Sequence, residues 1–168
     1  MLLGLRNPDS VGTIIAPIAE ATKRLPSAAI EQLLQPGAPI LPDSSYTTDT
    51  AGTSSPNTTT PQSPAMTALW SRPRGHGLRY DPACTPHTSG NKAWWNAYEQ
   101  LTQALQAVAK PVALYPGDLL IVDNDACVHG RAPFTARYDG ADRWLLRIDI
   151  RSQRTIRPAS EEEEHGYG

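Results

Sequence analysis

The chain has 168 residues, with 15 Lys and Arg against 17 Asp and Glu, and a net charge of −2. That length suits one domain, and the near-balanced charge leaves no electrostatic footprint for nucleic acid or an anionic membrane surface. No apolar run approaches the roughly 20 residues a membrane span needs, residues 1–5 lack the regions of a signal peptide, and two cysteines, Cys84 and Cys127, suit a reducing cytoplasm rather than a disulfide scaffold.

Sixteen prolines and 12 glycines exceed the usual combined share of about 12%, which excludes a bundle of long helices and favours a loop-rich domain with strands. Residues 2–6 and 11–16 read as two strands joined as a hairpin by the turn residues Asn7, Pro8, Asp9 and Ser10. A strand beginning at Leu2 with no lead-in loop creates the expectation that a segment upstream is missing. Residues 17–35 read as two short helices broken at Pro26, with Ser27 placed to open the second and Pro36 and Gly37 to end it.

Residues 44–64 are a low-complexity stretch in which 16 of 21 residues are Ser, Thr, Pro or Gly. Such a segment cannot bury enough apolar surface to offset its ordering entropy, so a surface loop is expected. Residues 66–72 read as a strand. From 91 to 109, Trp94, Tyr98, Leu101, Leu105 and Val108 recur at helical spacing, and Pro111 stops the helix. The last third is strand-rich: 112–115, then 118–123, then 143–150. In the last of these, Arg143, Leu145, Arg147 and Asp149 alternate with Trp144, Leu146, Ile148 and Ile150. Residues 158–168 form an acidic tail.

Two arginines four residues apart on one strand face stand about 13 Å apart. If that face is inward, each needs an anion, because an unpaired buried charge is costly, and the planar guanidinium holds a carboxylate by two hydrogen bonds. Alternation alone equally permits Arg143 and Arg147 to face water. His129, presented by a short loop after Asp123 and Asn124, is by itself either a structural histidine or a metal ligand. His76, Cys84 and His87 offer zinc-type donors, but at irregular spacing and with no evident fourth ligand.

Gly117–Asn124, Val128–Arg131, Phe134 and Arg137–Arg147 together resemble the carboxy-terminal signature of the clavaminate synthase-like Fe(II)/2-oxoglutarate oxygenases. These lie within the taurine dioxygenase-like superfamily, close to arginine and asparagine hydroxylases. Weaker similarity runs through residues 3–8, the region up to Asp43 and Ser44, and Leu78–Asp81. The resemblance implies a mainly β fold with flanking helices, a partial double-stranded β-helix or jelly roll over residues 1–157 whose amino-terminal part is missing. It makes His129 the distal iron ligand and catalytic residue, and Arg143 the clamp for the far carboxylate of 2-oxoglutarate. Arg147 and Asp81 become substrate-binding candidates, Asp81 being also a plausible turn residue before Pro82. Asp123 and Asn124 are expected to support the histidine loop.

The implied cofactors are Fe(II), 2-oxoglutarate and O2. The implied reaction is hydroxylation of a free amino acid or a related metabolite, with release of succinate and CO2. The expected partner is a small-molecule substrate, with no nucleic acid and no membrane; the oligomeric state is open. The family pattern also needs a His-x-Glu or His-x-Asp pair. The residues two places after His76, His87, His129 and His165 are Leu78, Ser89, Arg131 and Tyr167, so two of three iron ligands are not found. The alternative is therefore a truncated, non-catalytic fragment that binds a small acid or a partner chain.

Overall fold

The computed structural model describes residues 1–39, 65–85, 87 and 91–150. The Ser/Thr/Pro-rich stretch at 44–64 and the acidic tail at 158–168 lie outside them. Two three-stranded antiparallel sheets organise the fold. In the first, β1 (Leu2–Arg6) lies between β10 (Trp144–Arg147) and β8 (Leu119–Leu120). In the second, β2 (Gly12–Pro17) lies between β7 (Lys110–Ala113) and β9 (Cys127–Arg131). The hairpins β3 (Pro36–Ala38) with β4 (Met66–Thr67) and β5 (Leu69–Arg72) with β6 (Gly75–Leu78) complete the strands. The mainly β fold with few helices is that expected.

The expected hairpin between the first two strands is not formed: β1 and β2 belong to different sheets. The cause is Asn7, which is buried. Its amide donates to the Val11 and Leu114 carbonyls at 3.1 Å each, and its Oδ1 accepts from Val11 N at 2.9 Å. Ser10 completes the turn at φ 52°. A buried amide satisfied on three sides redirects the chain from one sheet to the other instead of folding it back on itself. Strand β1 runs tight against the segment that leads into β8. Gly4 N donates to the Asp118 carbonyl at 2.8 Å and Gly117 N to the Gly4 carbonyl at 2.9 Å. Any side chain at Gly4 would collide with the Tyr115 carbonyl.

The helices form one layer. Helix α1 (Ile18–Thr22) and α2 (Ser27–Leu33) are separated at Pro26, and α3 (Lys92–Val108) packs on both. Asn91 caps α3, its side chain accepting from Trp94 N at 3.1 Å. Trp94, Ala97, Tyr98, Leu101, Ala104, Leu105 and Val108 face a core shared with Ala16, Ile18, Ala21, Ala29 and Leu33. The Trp94 indole donates to the Gln35 carbonyl at 3.2 Å, which leaves its one polar atom satisfied. Among the described residues, no helix is long and apolar enough to cross a membrane.

Among the described residues, the outer face of the first sheet is apolar and exposed. Leu3 stands opposite both Leu146 and Leu119, so these side chains share a face. Leu119, Ile121, Trp144, Leu146, Ile148 and Ile150 are all exposed. The alternation expected over 143–150 is present, but its apolar half points to solvent.

Candidate carboxylate and metal-ligand site

The site lies on the face of the second sheet turned away from the helices. Strand residues two apart share a face, and directly paired antiparallel residues do too. Ala16 pairs with Val128, and both pack into the helical core. Thr13 pairs with Arg131 and Ile15 with His129, so these four side chains face the opposite way. His129 therefore sits within a strand, not on the loop expected from the sequence.

Arg143, just ahead of β10, reaches across to this face. Its Nη2 donates to Thr13 Oγ1 at 2.7 Å. Thr13 is only 2% exposed. Since Thr13 and Ile15 are two residues apart, the anchor of the guanidinium and the position opposite His129 lie about 7 Å apart along β2. The ring and the fork thus share one face. The Arg143 Nε is buried and has no hydrogen-bond partner among the described residues. Burial, and then the positive charge of Arg131, push the Arg143 pKa down.

His129 is half-buried. Burial lowers its pKa, and the positive charge of Arg147 lowers it further, partly opposed by Asp149. The imidazole is therefore neutral at pH 7, the form that can donate a lone pair to a metal. The influence of Arg147 brings the second predicted arginine to the same neighbourhood. Its Nε is ion-paired to Asp149 at 3.0 Å, with both side chains largely exposed.

The loop leading into β9 is built by Asp123. Its Oδ1 accepts from Asp125 N at 3.0 Å, its carbonyl accepts from Ala126 N at 3.0 Å, and its Oδ2 pairs with Arg72 on β5 at 3.1 Å. Leu78 N on β6 donates to the Asp125 carbonyl at 2.8 Å, so the β5–β6 hairpin buttresses the strand that carries His129. Asn124 is exposed beside it. Asp81 forms a turn: its Oδ1 accepts from Ala83 N and Cys84 N at 3.1 Å each, and its carbonyl accepts from the Thr85 hydroxyl at 2.5 Å. This is the turn-forming alternative for Asp81.

Among the described residues, no group of three or more His, Cys, Asp or Glu side chains is placed to hold a metal ion. His87 of the zinc-type trio instead stacks on Trp95, with ring centroids 4.4 Å apart. Two further residues, Thr13 and Arg131, stand at this face. Thr13 lies within the strand expected at 11–16, where a lone hydroxyl between Gly12 and Ile14 is the signal that finds it. Arg131, two residues past His129, has no distinguishing mark in the sequence.

The family model for taurine catabolism dioxygenase TauD, TfdA family matches residues 15–148. An L-ornithine/L-arginine 3-hydroxylase of Catenulispora acidiphila is 29% identical over 180 residues, covering 96% of this chain and 52% of its own length. Clavaminate synthase 2 of Streptomyces clavuligerus is 52% identical over 58 residues, covering 34% of this chain and 18% of its own. The crystal structure of the non-heme iron oxygenase OrfP in complex with Fe, succinate and (3S)-hydroxy-L-Arg superposes with a TM-score of 0.71 at 30% identity. That match covers 86% of this chain and 45% of the other. The chain thus spans about half the length of the full-length curated relatives it matches. With the model aligned from β2 through β10, the chain belongs to the taurine catabolism dioxygenase TauD, TfdA family.

Proposed function

We propose that the chain supplies the cosubstrate-holding part of an Fe(II)/2-oxoglutarate-dependent oxygenase. Its substrate is a free amino acid or an amino-acid-derived metabolite. The overall reaction consumes O2 and 2-oxoglutarate, hydroxylates a C–H bond and releases succinate and CO2. We read residues 1–157 as part of a jelly roll acting in the cytoplasm. The observation that carries this reading is the Arg143 guanidinium, tied to the buried Thr13 hydroxyl on the face that carries His129, with its Nε left unpartnered among the described residues. A half-buried guanidinium whose Nε is buried and unpartnered among the described residues suits a bound anion, and a planar fork suits a carboxylate end.

The donors fit the two groups unequally. For 2-oxoglutarate, Arg143 takes the distal carboxylate and Thr13 orients the fork. For iron, His129 is one neutral donor of the three that a facial two-histidine, one-carboxylate site uses. The described residues do not complete such a set, so no step through the metal is derived. Arg147 exchanges Asp149 for the α-carboxylate of the substrate, and Asp81, which holds its turn with Oδ1, offers Oδ2 to a cationic end. Asp123 holds the strand that presents His129.

The shortage of metal donors among the described residues favours one second reading, a chain that binds a small dicarboxylate without turning it over. Ligand-observed NMR with 2-oxoglutarate tests what both readings share. Binding by the purified chain that is lost in Arg143→Met is expected, and equal binding by both proteins sinks the site. Succinate release with Fe(II), ascorbate and a panel of arginine, ornithine and asparagine separates the two readings.

A further inference from the structure

We propose that Arg131 is a second cation of the carboxylate subsite headed by Arg143, and that it makes the site select a dicarboxylate over a keto acid with an uncharged end. This rests on the assignment of Arg143 to the distal carboxylate of 2-oxoglutarate. Arg131 stands directly opposite Thr13 in the β2–β9 pairing, and Thr13 is the residue whose hydroxyl holds Arg143. Arg143, just ahead of β10, thus bonds the Thr13 hydroxyl from one sheet, and the exposed Arg131 on β9 pairs with Thr13 in the other.

Arg131 is held in place by an aromatic ring. Its guanidinium carbon lies 4.7 Å from the centroid of Phe134, a cation–π contact that uses a face of the planar group and leaves its N–H edges for an anion. Neither arginine is ion-paired to a carboxylate among the described residues, whereas Arg72, Arg137 and Arg147 all are. Arg131 and Arg143 are near enough for their like charges to oppose each other, and an anion between them would relieve that. Burial first, and then the charge of Arg131, hold the Arg143 pKa below its ordinary value.

One further unit charge about 8 Å from a carboxylate, at an effective dielectric of about 40, corresponds to roughly fivefold in affinity. The effect should be confined to ligands charged at that end. The test uses the 168-residue chain without metal, at low salt, titrated by saturation-transfer NMR with 2-oxoglutarate and with 2-oxopentanoate, the same five-carbon keto acid ending in a methyl group. Arg131→Gln is expected to weaken 2-oxoglutarate about fivefold and to leave 2-oxopentanoate unchanged. Arg131→Lys keeps most of the preference. Phe134→Leu, which retains the charge but removes its anchor, falls between.

If Arg131→Gln binds both keto acids as the wild type does while Arg143→Met loses 2-oxoglutarate, the role of Arg131 is refuted and the subsite stands. Equal weakening of both ligands by Arg131→Gln assigns it a structural role and also refutes the proposal. If the wild type binds neither acid, or Arg143→Met binds like the wild type, the subsite and the proposal fall together.

Discussion

Replacing Thr13 with valine keeps the β-branched shape and strand propensity of the residue and removes the oxygen that accepts from Arg143 Nη2 at 2.7 Å. The substitution introduces no cavity, so the measured change reports the hydrogen bond. Bonds to charged groups contribute about 1.5–3 kcal/mol. Arg143 is half-buried and water reaches part of its guanidinium, which places the cost near the lower end, about 1.5 kcal/mol. For a chain of this size that is a fall in Tm of roughly 3–6 °C. Urea denaturation of the wild type, Thr13→Val, Arg143→Met and the double variant gives the coupling directly, with about 1 kcal/mol or more expected between the two positions. If the hydroxyl also aims the fork at the cosubstrate, Thr13→Val weakens 2-oxoglutarate by about tenfold, the equivalent of about 1.4 kcal/mol. A Thr13→Val protein within about 0.3 kcal/mol of the wild type, with strictly additive effects in the cycle, would refute the bridge between the two sheets and the assignment built on it.

Leu101 is fully buried on α3, so Leu101→Ala is expected to cost about 2–5 kcal/mol in urea denaturation; a loss below about 1 kcal/mol would contradict the packing of α3 on α1 and α2. Burial pushes the Tyr98 pKa up to about 12, so the folded chain retains the phenolic proton that the unfolded chain loses near pH 10. Stability should be undiminished below pH 10 and fall by about 2–3 kcal/mol as pH rises to 12. Tyr98→Phe should flatten that slope, and an unchanged slope would place the titrating group elsewhere. The exposed set around Ile121, Trp144 and Leu146 predicts dye binding and concentration-dependent self-association. Ile121→Lys with Leu146→Lys should reduce both in sedimentation velocity runs, and persistent association would point to another face. If His129 is the one metal donor that the described residues supply at this face, calorimetric titration of Fe(II) should show no tight one-to-one binding; a submicromolar site would overturn that count.

The parts of this protein that were legible in its sequence are those set by local rules. Helix α3 follows from apolar residues recurring every three or four positions between Asn91 and Pro111, and the break between α1 and α2 follows from Pro26. The motif around His129 and Arg143 was recognisable because particular residue types recur at fixed spacing. Turn chemistry was legible as turn chemistry: Asn7 to Ser10 form a turn, and Asp81 does what an aspartate before proline often does.

Tertiary contacts decided the rest. The turn at Asn7 is compatible with a hairpin, and only the Leu114 carbonyl, 107 residues away, makes it a crossing between sheets. Period-two alternation over 143–150 establishes that the strand has two faces but not which of them is covered. In the fold Arg143 turns inward to Thr13 while Arg147 and Asp149 stay exposed, and Trp144, Leu146, Ile148 and Ile150 also lie at the surface. Thr13 offers only a lone hydroxyl between Gly12 and Ile14 and Arg131 no local mark, because their significance lies in a pairing between strands more than 100 residues apart. Local propensity is written in neighbouring residues, whereas an anion site is made by charges and hydroxyls that meet only when separate strands come into register.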